Sequence, residues 1–159
     1  MGLYLRQWSE HAALPEILAL CRETGIKVWL RASSAAWAQQ VSLQGVFGLH
    51  LPGSALMDCQ GRPDFAGVVS AACHSRDALE KAADLGLDMA LVSPVEATVS
   101  HPDRPTLGWQ QAGEWISGLP IACYGLGGVS PTDLETARQH GAIGVAGIRA
   151  FWPDASTSL

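Results

Sequence analysis

The segment Tyr124-Gly125-Leu126-Gly127-Gly128-Val129-Ser130-Pro131 combines residue types that can hold an anion without using a side chain. Adjacent glycines let backbone N–H groups approach a ligand with no Cβ in the way. Ser130-Pro131 behind them starts a helix, whose N-terminal end favours negative charge. Val145-Ala146-Gly147-Ile148 ends a later apolar run with another small residue. Gly127, Gly128 and Gly147 together read as a phosphate cup. The plainer alternative is a Gly-Gly turn that serves only tight strand–helix packing.

Three histidines, His50, His74 and His101, stand near the C-terminal ends of apolar runs. Imidazoles titrate near neutral pH, so they can act as general acid and base or converge on a metal. No carboxylate pattern supports a three-histidine metal site. The plainer alternative is that His50 and His74 hydrogen-bond within the barrel rim, and it suits His50, inside Gly48-Leu49-His50-Leu51, best. His101 and His74 are therefore the catalytic candidates. The loop from Ser93 to Pro102 adds the hydroxyls of Ser93, Thr98 and Ser100 and the carboxylate of Glu96, against the alternative of a solvated loop rich in turn formers. Arg6 and Arg31 each end an apolar run, where a guanidinium suits a phosphate or carboxylate or a salt bridge on the rim. Arg6, Arg31, Ser93 and Thr98 are the candidate ligand-binding side chains. Trp29, Trp109 and Trp115 fall within strand and helix patterns and read as packing.

These residues need a scaffold, and an alternation of patterns supplies one. Short, nearly continuous apolar runs recur at Leu3–Arg6, Lys27–Arg31, Gly45–Leu51, Val68–Cys73, Met89–Val95, Pro120–Leu126 and Ile143–Ile148. Such runs suit parallel strands covered on both faces. Helical spacing lies between them: Leu14, Ile17, Leu18 and Cys21 before Gly25; Leu79, Ala82, Ala83 and Leu85 before Gly86, opened by Ser75; Ala112, Trp115 and Ile116; and a helix from Ser130-Pro131 to His140-Gly141. A weaker helix is predicted over Ala35–Val41. Strand and helix in repeated alternation define an α/β protein with a parallel sheet.

A doubly wound sheet is disfavoured, because the first βα turn has no G-x-G-x-x-G. A TIM-type (β/α)8 barrel places a phosphate site after its last two strands, as here. Seven strands rather than eight, in a chain below the usual ~200 residues for this barrel, predict a single domain over 1–159 that lacks the first βα unit. Its two edge strands would be open to a second copy or a partner chain.

With 48% hydrophobic and 16% charged residues, the chain can bury one core and is too apolar for disorder. A net charge of −5 with scattered basic residues gives no footprint for nucleic acid or an anionic membrane. No apolar run reaches the roughly 18–20 residues of a membrane span. Cys21, Cys59, Cys73 and Cys123 form no C-x-x-C pair, which suits a reducing cytoplasm.

In order and spacing, Leu3-Tyr4-Leu5-Arg6, Gly48-Leu49-His50-Leu51, Cys73-His74-Ser75, Ser93-Pro94-Val95 with Thr98, Leu126-Gly127-Gly128 and Gly144-Val145-Ala146 resemble the thiamine phosphate synthase/TenI family, over nearly the whole chain. Ser100-His101-Pro102, Leu107-Gly108-Trp109 and Phe151-Trp152 resemble most the TenI-like C-terminal domain of some bacterial Nudix hydrolases. The resemblance implies the (β/α)8 barrel and a place in thiamine biosynthesis. It also implies a synthase that joins a pyrimidine diphosphate to a thiazole phosphate, with magnesium on the departing pyrophosphate. Arg6 matches the family's arginine. Tyr4 stands for its glutamine, Trp8 and His101 for its lysines, and Arg31-Ala32 and Ala55 for the positions of its metal carboxylates. The expectation is a cytoplasmic protein that binds a small phosphorylated ligand, uses no metal cofactor and has lost the synthase chemistry. Any remaining activity would be isomerisation of the thiazole tautomerase kind, although Pro94 stands where that branch has its histidine. The alternative is a non-catalytic regulatory or assembly module.

Overall fold

A computed structural model describes residues 1–6, 13–33, 45–98 and 105–151. All seven apolar runs are strands: β1 (Gly2–Leu5), β2 (Lys27–Arg31), β3 (Gly48–Leu51), β4 (Val68–Cys73), β5 (Met89–Val92), β6 (Ala122–Leu126) and β7 (Gly144–Ala146). They form one parallel sheet in chain order, with β1 and β7 at its edges. Four helices of the predicted pattern alternate with them: α1 (Leu14–Glu23), α3 (Arg76–Asp84), α4 (Gly108–Ile116) and α5 (Leu134–Gln139). The helix α2 (Gly53–Asp58) has no counterpart in the sequence reading. It is six residues long and buries only Ala55 and Leu56, too little for a period to be read. The helix predicted over Ala35–Val41 lies outside the described residues.

Register separates two faces. Val28, Leu30, Leu49, Leu51, Val69, Ala71, Cys73, Ala90, Val92 and Cys123 share one face, are essentially inaccessible, and join Leu18, Leu56, Leu79 and Ala82 of the helices in one core. The other face carries Tyr4, Trp29, Arg31, His50, Ser70, Leu91 and Tyr124. The Tyr4 and His50 rings meet edge to face at 4.7 Å although their strands are separated by β2. Neighbouring strands lie about 4.8 Å apart, so this contact across one strand marks the face as concave. Trp29 lies against Gly48 and Gly2, where a Cβ would strike its indole. The sheet is a curled, seven-stranded portion of the TIM-type barrel.

The helix ends follow from their residues. Gly25 and Gly86 take φ of +69° and +67° just after α1 and α3, which glycine adopts freely. Ser75 caps α3 by accepting the Ala78 N–H at 3.1 Å. Ser75→Ala is expected to cost about 1 kcal/mol, read as a lower urea midpoint with an unchanged slope. β5 is shorter than its apolar run because Pro94, after a cis Ser93–Pro94 peptide, has no N–H to continue the ladder. The chain instead turns toward β6, and the Val95 and Glu96 N–H groups donate to Leu126 O and Gly127 O, each at 2.9 Å.

Candidate functional site

The C-terminal ends of the strands gather most of the described candidates. Gly127 and Gly128 follow β6 with φ of +92° and +68°. A Cβ on Gly127 would meet Pro94 at 3.1 Å, and one on Gly128 would meet the Ala97 carbonyl at 2.5 Å. Gly147, after β7, has Val129 O and the Phe151 ring on its Cα side, 3.2 and 2.7 Å from where a Cβ would sit. The loops after β5, β6 and β7 are thus in direct contact. All three glycines are required by close approach, and Gly127 and Gly128 by backbone conformation as well.

The β6–β7 ladder ends on the Leu126–Ala146 pair, which engages the N–H of Gly127 or of Gly147; among the described residues the N–H groups of Gly128, Val129 and Ile148 donate to no acceptor. The next N–H is committed. Ser130 N–H donates to Asp133 Oδ2 at 2.7 Å in a capping box, and Thr132 N–H donates to Ser130 Oγ at 3.3 Å. The helix start behind the cup, expected to face an anion, is therefore closed by its own carboxylate. The bare amides lie before it, in the glycine loop.

A second group stands on the β2–β5 side of the concave face. Ser93, buried at the end of β5, accepts from His74 Nδ1 through both its carbonyl oxygen and its Oγ, each at 3.1 Å. His74 is otherwise exposed, with its Cδ2 against Gly53. His50 is 5% exposed, and its Nδ1 lies 3.0 Å from Ser70 Oγ, so the reading of a hydrogen-bonded rim residue holds. Burial first, then the positive charge of Arg31 and the neighbouring His74, lowers the His50 pKa from 6.5 to about 4. The Tyr4 pKa is raised by burial against the opposing pull of Arg31 and Arg6.

Arg31 ends β2, half-buried, and Arg6 follows β1 on the surface. Thr98 is half-buried next to Ala97, whose carbonyl abuts Gly128. His101 lies outside the described residues. Ser70 is a site residue that the sequence reading passes over; its signal is one hydroxyl in an apolar run, in register with His50.

Other features of the molecule do not join this site. A cleft of about 340 Å³ lined by Cys21, Arg22, Lys27, Val46 and Phe47 lies at the opposite, N-terminal ends of β2 and β3. The four cysteines are free and buried, and burial pushes the thiols of Cys73 and Cys123 up to about 12 and about 11, far from a thiolate nucleophile. Among the described residues no three His, Cys, Asp or Glu side chains converge as a metal site, and no helix is long and apolar enough to cross a membrane.

Comparison with known proteins agrees with this architecture. The family model described as thiamine monophosphate synthase (TMP-TENI) matches residues 7–151. A thiamine-phosphate synthase of Thermus thermophilus is 30% identical over 157 residues, 94% of this chain and 72% of that protein. An Aquifex aeolicus protein carrying the thiamine-phosphate synthase name is 30% identical over 107 residues; the match spans 65% of this chain and just over half, 56%, of that relative. Among solved structures, a thiamine phosphate pyrophosphorylase from Pyrococcus furiosus superposes with a TM-score of 0.62 at 15% identity, covering 92% of this chain and 71% of that one. A KDPGal structure reaches 0.68 at 15% identity, covering 98% of this chain and 72% of its own. At such identity these two superpositions speak for the fold alone. The family match extends over nearly the whole chain, and the chain belongs to the thiamine monophosphate synthase/TenI family.

Proposed function

We propose that this chain binds a small phosphorylated ligand of the thiazole- or thiamine-phosphate kind at the barrel mouth, within thiamine biosynthesis, and that it has lost the magnesium-dependent synthase chemistry. The observation that carries the reading is the set of bare amides at Gly128, Val129 and Ile148, beside Gly127 and Gly147 and clustered where the loops after β6 and β7 touch. Backbone donors of this kind suit a phosphate's acceptor oxygens. Arg31, Arg6, Ser93 and Thr98 would complete the ligand's surroundings.

The loss of synthase chemistry is supported by what stands at the resemblance positions of the metal carboxylates. Ala32 is fully buried and Ala55 is 3% exposed, so each offers a methyl group where magnesium requires oxygen. The residues present do not fit that ion, and no step is assigned to it. Any remaining activity would be proton transfer in an isomerisation, with His74 or His101 as acid and base. Four free, buried cysteines suit the reducing cytoplasm.

Calorimetric titration with inorganic phosphate, thiazole phosphate and thiamine phosphate tests the reading. Micromolar binding of an ester, abolished by Gly127→Asp in a variant with unchanged circular dichroism, is the expected result. No binding of any phosphate compound by the intact chain overturns it and favours a non-catalytic module.

A further inference from the structure

The polar chain buried beneath the mouth has only one consistent arrangement of hydrogens. Ser70 Oγ lies 3.1 Å from Leu49 O and 3.0 Å from His50 Nδ1. A carbonyl oxygen has no hydrogen to give, so the single Ser70 hydroxyl hydrogen goes to Leu49. Ser70 Oγ must then accept from His50, and Nδ1 carries the imidazole proton. The opposite tautomer would leave either the Ser70–Leu49 or the Ser70–His50 contact with lone pairs facing each other. In the neutral ring Nε2 is thereby a bare acceptor.

Among the described residues Nε2 has no hydrogen-bond partner. The ring keeps 5% of its surface exposed, on the concave face of the sheet. Tyr4 meets the ring edge to face, Arg31 is its register partner on β2, and the charges of Arg31 and His74 act on it. A cation and a second imidazole beside it oppose a second proton, as does the burial. His50 is thus held as an acceptor in a place where ordinary histidines alternate between roles.

We infer that Ser70 is a positioning residue that locks the tautomer of His50, and that His50 Nε2 selects a ligand carrying a hydrogen-bond donor, an amino or hydroxyl group, in addition to its phosphate. The inference rests on the phosphate reading above and narrows it. Of the two esters named, thiamine phosphate has an exocyclic amino group, whereas thiazole phosphate has no N–H or O–H away from its phosphate.

Two measurements test it. Nitrogen-15 spectra of the histidine-labelled full chain should show His50 protonated at Nδ1 at pH 7, with Ser70→Ala giving a mixed tautomer and Ser70→Thr restoring one. Calorimetry should show thiamine phosphate preferred over thiazole phosphate. About tenfold of that preference, the equivalent of one hydrogen bond, should vanish in His50→Phe and shrink in Ser70→Ala. A ring protonated at Nε2, or a preference unchanged in both variants while both esters still bind, overturns the inference. If neither ester binds the native chain, the phosphate reading fails and takes the ligand assigned to His50 with it. The tautomer spectrum then shows whether the Ser70 lock was correct in its own right.

Discussion

Gly128→Ala is expected to weaken binding of a phosphate ester by at least about 30-fold, the equivalent of about 2 kcal/mol. The new methyl group would lie 2.5 Å from Ala97 O and 2.6 Å from the carbonyl carbon of Glu96, both backbone atoms. That backbone has little freedom to give way. Glu96 and Val95 donate into the β6 loop, and the Pro94 and Val95 carbonyls accept from Leu107 and Gly108 at 3.0 and 2.9 Å. The glycine loop must move instead, and its φ of +68° adds about 1–2 kcal/mol of conformational cost for an L-residue. Re-aiming a single amide forfeits a hydrogen bond to a charged group, about 1.5–3 kcal/mol. Gly86→Ala is the control. Its φ of +67° is nearly the same, but nothing lies within 4 Å of the added carbon. It should cost stability and leave affinity unchanged. Equal affinities in calorimetry for the native chain and the Gly128 variant would remove the cup from the binding site.

That contrast bears on what the amino-acid pattern makes legible. Each strand announced itself because a segment buried by helices on one side and curvature on the other must be apolar nearly throughout. The strand ends are less legible, since Pro94 alone shortens β5 and its effect depends on where β6 lies. α2 left no period to find in six residues. In the candidate site, the Gly127-Gly128 turn was legible because its two glycines are adjacent and stand before a capping Ser-Pro. Its individual donors were not visible, because the Asp133 carboxylate that takes the Ser130 N–H looks like any acid in a first turn. The His50–Ser70 pair was invisible for a different reason. Twenty residues separate its members, and only the β3–β4 register places one beside the other.

The buried His50 also makes the fold sensitive to acid. Stability is expected to be full above about pH 6.5 and to fall by about 3 kcal/mol as the pH drops toward 4, the worth of the His50 shift at 1.36 kcal/mol per unit. The sign follows from which state takes up the proton first. An unfolded chain binds it at the ordinary value of 6.5, whereas the folded ring resists until about 4. Throughout that window protonation therefore draws the equilibrium toward the unfolded state. Below about 4 the folded ring is protonated as well and the loss from this residue stops growing. Arg31 and His74, which face the ring, both act against its protonation, and Tyr4 is neutral across the range. Asp88, held below 3.8 by the Val69 N–H and Arg62, loses its contribution only at lower pH, and its exposed ion pair makes that contribution small. The two windows are therefore separable. Urea midpoints between pH 7 and 4.5 should fall steeply in the native chain and much less in His50→Gln, which keeps a donor for Ser70 but has no proton to gain. Parallel pH profiles for the two would mean that acid reaches the fold through some other group.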